Sequence, residues 1–310
     1  MRQLKGFSRS KSWIWAALVC SMLPAMPEGS AATLTAQTQN AFEHYVQLTE
    51  QRNQQELGAE GAFLWIDGLP EAQRKKVSAE VANGEVIVAR VETRDARKEV
   101  MCPGGMIHHW IATVFIPGAR LDQVLSVLED YDHHSEYYQP DVERSHIESR
   151  DGNHLRVFLR FRRTKVVTIV LDTVHDVQYY RDTPVRAHSR SSAIRIAQVD
   201  DPGKSDEREK TPGNDDGFLW GMETWWRMEE KHGGVYVQSE VVSLTRDIPA
   251  GLGWIIGPFV TTIPRESLKF TMEATRRAVL RKEQSDLGDG PGQTSSRNAN
   301  RQTPLLFKSG

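Results

Sequence analysis

Cysteine is scarce: the 310 residues hold two, Cys20 and Cys102. Cys20 lies in a leading segment expected to be cut away, and the one remaining thiol can close no intrachain disulfide. Nothing in the sequence around Cys102 supplies a base, so a buried or tolerated thiol is expected rather than a nucleophile. There is no Cys-x-x-Cys and no His-Glu-x-x-His, which removes the short metal motifs. The adjacent pairs His108-His109 and His133-His134 do not replace them; on a strand, neighbours such as His108 and His109 point to opposite faces. No Gly-x-Ser-x-Gly elbow occurs, so that hydrolase architecture is not indicated. Gly251-x-Gly253-x-x-x-Gly257 only mimics a phosphate loop: its spacing is wrong, and Pro258 follows where a helix should open. No metal, cofactor or catalytic residue is assigned. Charge is nearly balanced, at a formal net −2, which gives no basis for nucleic-acid binding. No repeat of fixed period is found.

The apolar run Trp13 to Met26 is too short to span a bilayer. Arg2, Lys5, Arg9 and Lys11 precede it as a basic region and Ser30-Ala31-Ala32 follows it, the parts of a secretory signal. Residues 1–32 are therefore expected to be a cleaved signal peptide and the protein to be periplasmic or secreted, with an uncleaved anchor as the alternative. Val19 before Cys20 speaks against a lipoprotein. Losing four basic residues and one acid, Glu28, would move the net charge from −2 to −5. Residues 283–310 are Gly-, Ser-, Asn- and Gln-rich without periodicity, and a disordered tail is expected there.

What lies between is patterned. Thr35–Leu57 reads as an amphipathic helix closed by Gly58, with Phe42, Val46 and Thr49 on one side. Phe63–Ile66 is a short apolar segment, Pro70–Val81 a second helix, and Glu85–Thr93 an alternating, β-branched strand. Residues 33–104 are expected to form an N-terminal extension packed on a main domain at 105–282. That domain opens with a strand at Ile107–Ile116, a helix at Arg120–Glu129 and a short helical piece at Asp130–Tyr138. Strands follow at 142–148, 154–162, 166–180, 185–199, 218–230 and 235–244. Asp151-Gly152-Asn153 joins the first two, and a polar loop fills 200–217. Pro264–Arg281 reads as one long helix with Pro264 in its first turn. Its Leu268, Met272, Thr275 and Val279 share a face.

Strands in series with short turns make an antiparallel sheet, and the late helix is the element long enough to cover its inner face. This order, together with ATVFIPGARLDQVLSVLEDYDHHSEYYQPDV (Ala112–Val142), resembles the START and birch-pollen-allergen superfamily, which includes polyketide cyclase-like proteins, over about residues 106–281. The resemblance implies an α+β helix-grip fold, a curved antiparallel sheet wrapped around the C-terminal helix. It also implies a cavity between them for a lipid, isoprenoid, polyketide or similar apolar molecule. Non-catalytic binding or transport is the expected function. A cyclase- or hydrolase-type enzyme using a cavity carboxylate or histidine is the alternative.

Trp110, Tyr131, Tyr138, Phe161, Trp220, Trp226 and Met272 are the candidate lining residues. Alternation along 218–230 puts Trp220, Met222, Thr224, Trp226 and Met228 on one face and Leu219, Glu223, Trp225 and Arg227 on the other, without saying which is inward. Glu223, Arg227, Glu240 and Arg246 read as cross-strand ion pairs on the outer face, or else as a polar group beside the cavity. The apolar stretch 252–260, with Trp254, Ile255 and Phe259, reads as a gate or membrane contact, or as a buried connection into the long helix. The expected partner is a hydrophobic small molecule, with transient membrane contact and no nucleic acid.

Overall fold

The computed structural model describes residues 32–58, 63–165, 168–248 and 253–288, the last with side chains from 262 to 282. Of the expected signal segment 1–32, residues 1–31 lie outside the described residues, as does the expected tail 283–310 from residue 289 on; residues 283–288, expected in that tail, instead continue the last helix. Two helices come first, α1 (Ala36–Gly58) and α2 (Glu71–Ala82), then a short strand β1 (Ile87–Arg90). Next are β2 (Gly105–Pro117), α3 (Leu121–Leu128) and a 3-10 turn running into α4 (His134–Tyr137). Six strands follow: β3 (Val142–Asp151), β4 (His154–Thr164), β5 (Thr168–Thr183), β6 (Arg186–Asp200), β7 (Gly221–Lys231) and β8 (Gly234–Arg246). The chain closes with α5 (Gly253–Gly288).

Across the sheet the order is β1-β2-β8-β7-β6-β5-β4-β3, each neighbour antiparallel. Register shifts interrupt the ladders at Val174/His175 and Ile147/Ser149; such bulges bend and twist a sheet. The concave face wraps α5, which packs mainly on β2. This is the α+β helix-grip arrangement expected from the sequence. On α5, Leu268, Met272, Thr275 and Val279 are all buried, the face that the periodicity marks out.

Several boundaries differ from the sequence expectation. α5 begins at Gly253 instead of Pro264, so Pro264 lies inside the helix rather than in its first turn. An interior proline forfeits an N–H bond to the carbonyl four residues back and crowds it, which is why the sequence reads as two pieces there. The strand expected at 85–93 is confined to Ile87–Arg90. Beyond Thr93 the chain leaves β2 and folds on itself, Arg94-Asp95 pairing Lys98-Glu99. Ala96 and Arg97 make that turn with φ of 44° and 73°, the mirror-image turn geometry that suits a tight hairpin.

The convex face is covered by the N-terminal segment. Phe42, Tyr45 and Val46 of α1 pack on Trp225, Val242 and Leu244. Phe63, Leu64 and Ile66 pack on Phe115 and Tyr236. The approach is close: a Cβ at Gly221 would come within 2.6 Å of the Phe42 ring, so β7 needs glycine at that crossing. Among the described residues no helix is long and apolar enough to cross a membrane.

Candidate functional site, a cavity under the closing helix

The alternation of β7 resolves once α5 is in place. Met222, Thr224 and Trp226 turn inward and line a cavity of about 300 Å³ between sheet and helix. Trp225 and Arg227 turn outward beneath α1. Ser267, Leu268 and Thr271 of α5 close the cavity over the strands.

One end is walled by aromatic rings whose polar atoms are already engaged. The Tyr179 hydroxyl donates to the Leu128 carbonyl at 2.9 Å. Its oxygen is therefore left to accept from Tyr131, at 3.1 Å. Likewise Thr275 donates to the Thr271 carbonyl at 2.9 Å and accepts from the Tyr138 hydroxyl at 3.0 Å. Burial pushes the Tyr138 phenol up to about 12 and raises Tyr131 and Tyr179 as well. The His134 ring sits between Tyr131 and Tyr138, with centroids at 4.2 and 4.9 Å. Its Nε2 donates to the Val127 carbonyl at 3.3 Å, and burial pulls its pKa down to about 4. These groups offer the cavity ring surface more than hydrogen bonds.

Near the β4–β5 turn the cavity holds an ion pair. Arg163 Nη2 lies 2.5 Å from Asp141 Oδ2 and donates to Ser267 Oγ at 2.6 Å. Burial raises the Asp141 carboxyl to about 6, against the pull of Arg163. On the strands, His175 Nε2 lies 2.9 Å from Thr173 Oγ1 and Nδ1 lies 3.3 Å from Ser191 Oγ. Burial brings His175 down to about 4, so the ring is neutral near pH 7.

Of the candidate lining residues, Trp110, Tyr131, Tyr138, Phe161 and Trp226 stand around the cavity. Trp220 does not: it precedes β7, packs with the outer cluster and donates its indole N–H to Asp215 Oδ1 at 2.9 Å. Alternation fails there because the regular strand starts one residue later, at Gly221. Met272 is fully buried in the main core, while Leu268 and Thr271 of the same helix take the lining positions. The side chains of Trp254, Ile255 and Phe259 lie outside the described residues. His175, Ser191, Ser239 and the Asp141–Arg163 pair were not singled out by the sequence. The inward alternation of Thr173, His175, Val177 and Tyr179 was the available signal for His175.

Glu223, Arg227 and Glu240 belong to the outer face, and α1 supplies partners to Arg227 and Glu240. Arg227, fully buried, reaches Glu56 Oε2 at 2.8 Å, the Phe63 carbonyl at 2.9 Å and Asn53. Glu240 accepts from His109 Nε2 at 2.6 Å and from Arg52. Burial works to raise Glu240, but the His109 bond and Arg52 together bring it to about 2. Glu223 accepts from Ser192 at 2.7 Å and pairs Arg190 at 3.2 Å. Among the described residues no cluster of His, Cys, Asp and Glu has metal-site geometry.

No protein-family model and no curated protein matches the chain. Solved structures do. A STAR-related lipid transfer protein fragment from Xanthomonas axonopodis is 16% identical, with 62% of this chain and 98% of that one covered and a TM-score of 0.40. A START superfamily protein from Mycobacterium smegmatis is 13% identical, with 56% and 99% covered and a TM-score of 0.38. The Zhui aromatase/cyclase from Streptomyces sp. R1128 is 17% identical, with 60% and 99% covered and a TM-score of 0.35. The helix-grip arrangement stands on the strand order and on α5 themselves.

Proposed function

We propose that the protein binds one compact hydrophobic molecule, non-covalently, in the space between α5 and the sheet. The observation that carries this is the cavity itself: about 300 Å³ lined by Trp110, Phe161, Leu171, Trp226, Val241 and Leu268 among others. That volume is at the lower end of the roughly 300–1,000 Å³ of small-molecule pockets, which favours a single chain or a small ring system over a two-tailed lipid. Transfer of each CH₂ out of water contributes about 0.8 kcal/mol, so affinity needs no reactive group. The enzymatic alternative finds less support. Asp141 is held by Arg163, the Tyr179 hydroxyl donates to the Leu128 carbonyl, and the Tyr131 and Tyr138 hydroxyls donate to Tyr179 and Thr275. We also propose that the chain is exported with residues 1–32 removed, on the strength of the leading basic and apolar segments.

Native mass spectrometry of protein purified from lipid-replete cells of its own host tests both. The expected spectrum shows a chain beginning near Thr33 plus an added mass that organic extraction releases. Repeated recovery of the bare chain would count against binding, and recovery of the full-length chain against cleavage.

A further inference from the structure

A second recess, of about 460 Å³, lies between the turn after α2 and the later half of α5, and it shares no residue with the cavity. Its character is the reverse of the cavity's. Lys269, Arg276 and Arg277 bring cations to it, Glu85 and Glu273 bring carboxylates, and Val86 and Leu280 complete the wall with Gly84.

The turn is shaped to seat one guanidinium. Gly84 has φ of 92°, a conformation open to glycine at little cost. A Cβ there would stand 2.8 Å from Arg276 Nη1, which donates to the Gly84 carbonyl at 2.6 Å. That bond uses one of several guanidinium N–H donors, so it orients the fork and leaves donors over. Elsewhere in the fold buried arginines meet carboxylates, as Arg160 meets Asp172 and Arg227 meets Glu56. Arg276 and Arg277, adjacent in the chain, form no ion pair among the described residues. Arg277 is exposed and lies 5.8 Å from the Phe270 ring. Lys269 sits seven residues before Arg276, on the same stripe of the helix, 3.8 Å from Glu273. Two turns, about 10 Å, separate their Cα atoms, a span that two long side chains and an anion between them can bridge.

We propose that this recess binds a phosphate group, with Arg276 as the seated donor and Lys269 and Arg277 as the mobile ones. Guanidinium forks match phosphate oxygens in pairs, and such charge-assisted bonds are the strong ones. A phosphate also offers acceptors in several directions, as donors arriving from separate positions require. Glu85 and Glu273 oppose the anion and limit its affinity. The phosphate is carried by a soluble monoester or by the headgroup of an anionic phospholipid; the recess chemistry is the same for both.

The test uses the full chain purified from its own host, at low salt and about pH 7.5, where a monoester is close to doubly charged. Glycerol phosphate is titrated by calorimetry, and phosphatidylcholine vesicles carrying phosphatidic acid are tested by co-sedimentation. Binding of glycerol phosphate alone assigns a soluble ligand; binding of the vesicles alone assigns a headgroup. Arg277→Gln, a change at an exposed position, should weaken whichever binds about tenfold. Arg276→Lys, which keeps the charge and removes the fork, should do the same. Glu85→Gln should tighten binding about two- to fivefold. Arg265→Gln removes an exposed cation of the same helix outside the recess and should change binding less than about twofold. Uptake of an apolar probe should be unaltered in Arg277→Gln. Failure of both probes to bind the wild-type chain overturns the site. So does equal weakening by Arg265→Gln and Arg277→Gln, which would mark diffuse attraction to a charged helix.

Discussion

Along β7 and β8, consecutive side chains enter two opposite environments. Outward, beneath α1, Arg227 and Glu240 are as buried as any aliphatic residue and are met by Glu56, Arg52 and His109. Inward, beneath α5, Trp226 and Val241 face a hollow, and Ser239 is left without a hydrogen-bond partner among the described residues. One face is filled and electrically closed; the other is open and nearly uncharged. Buried charge tolerates a missing partner far less well than an apolar surface tolerates a small void. The outer face is accordingly where the fold is held, and the inner face is where something else can be held.

That contrast can be broken from the inside by acid. His108, His134 and His175 all have pKa values lowered to about 4 by burial, from 6.5. An unfolded chain takes up these protons first, so their contribution to stability is complete above pH 6.5 and is lost as pH falls from 6.5 toward 4. Each is worth on the order of 3 kcal/mol, and urea midpoints should fall steeply across that window. Asp141, raised to about 6, acts in the opposite sense, losing stability as pH rises from 3.8 through 6. A flat urea midpoint from pH 7 to pH 4 would contradict the burial of these rings.

From the outside, Glu240→Ala leaves Arg52 and His109 facing an empty position and should cost about 3–5 kcal/mol by urea denaturation at neutral pH. The two adjacent tryptophans sharpen the comparison further. Trp225, buried and bonded to Glu50 at 2.6 Å, should cost about 3 kcal/mol of stability as Trp225→Ala and leave uptake of an apolar probe alone. Trp226→Ala, one residue on, should do the reverse, weakening uptake about tenfold with the smaller loss of stability. Matching effects of the two substitutions on uptake would remove Trp226 from the binding surface.

Much of the architecture was legible. The turn at Gly152, with φ of 60°, and the period-two runs of β4 to β8 mark the strands, and the spacing of Leu268, Met272, Thr275 and Val279 marks the buried side of α5. Of the site, the large rings were legible because aromatic side chains on one strand face announce a buried surface. The small polar groups were not. Ser239 and Ser191 look like any serine in a string of letters, since the partner a hydroxyl lacks is a property of its surroundings. Trp220 and Met272 were misplaced by one residue of strand onset and by one step around a helix.

What the chain determined by itself is local: where the backbone extends, where it coils, and that each strand has two unlike sides. Period-two alternation is unchanged when a sheet is turned over, so the letters cannot say which side meets α5 and which meets α1. Only packing between separate segments of the chain, α1 on one side and α5 on the other, decides that. With it come the pairing of Arg227 with Glu56 and the space left beside Ser239.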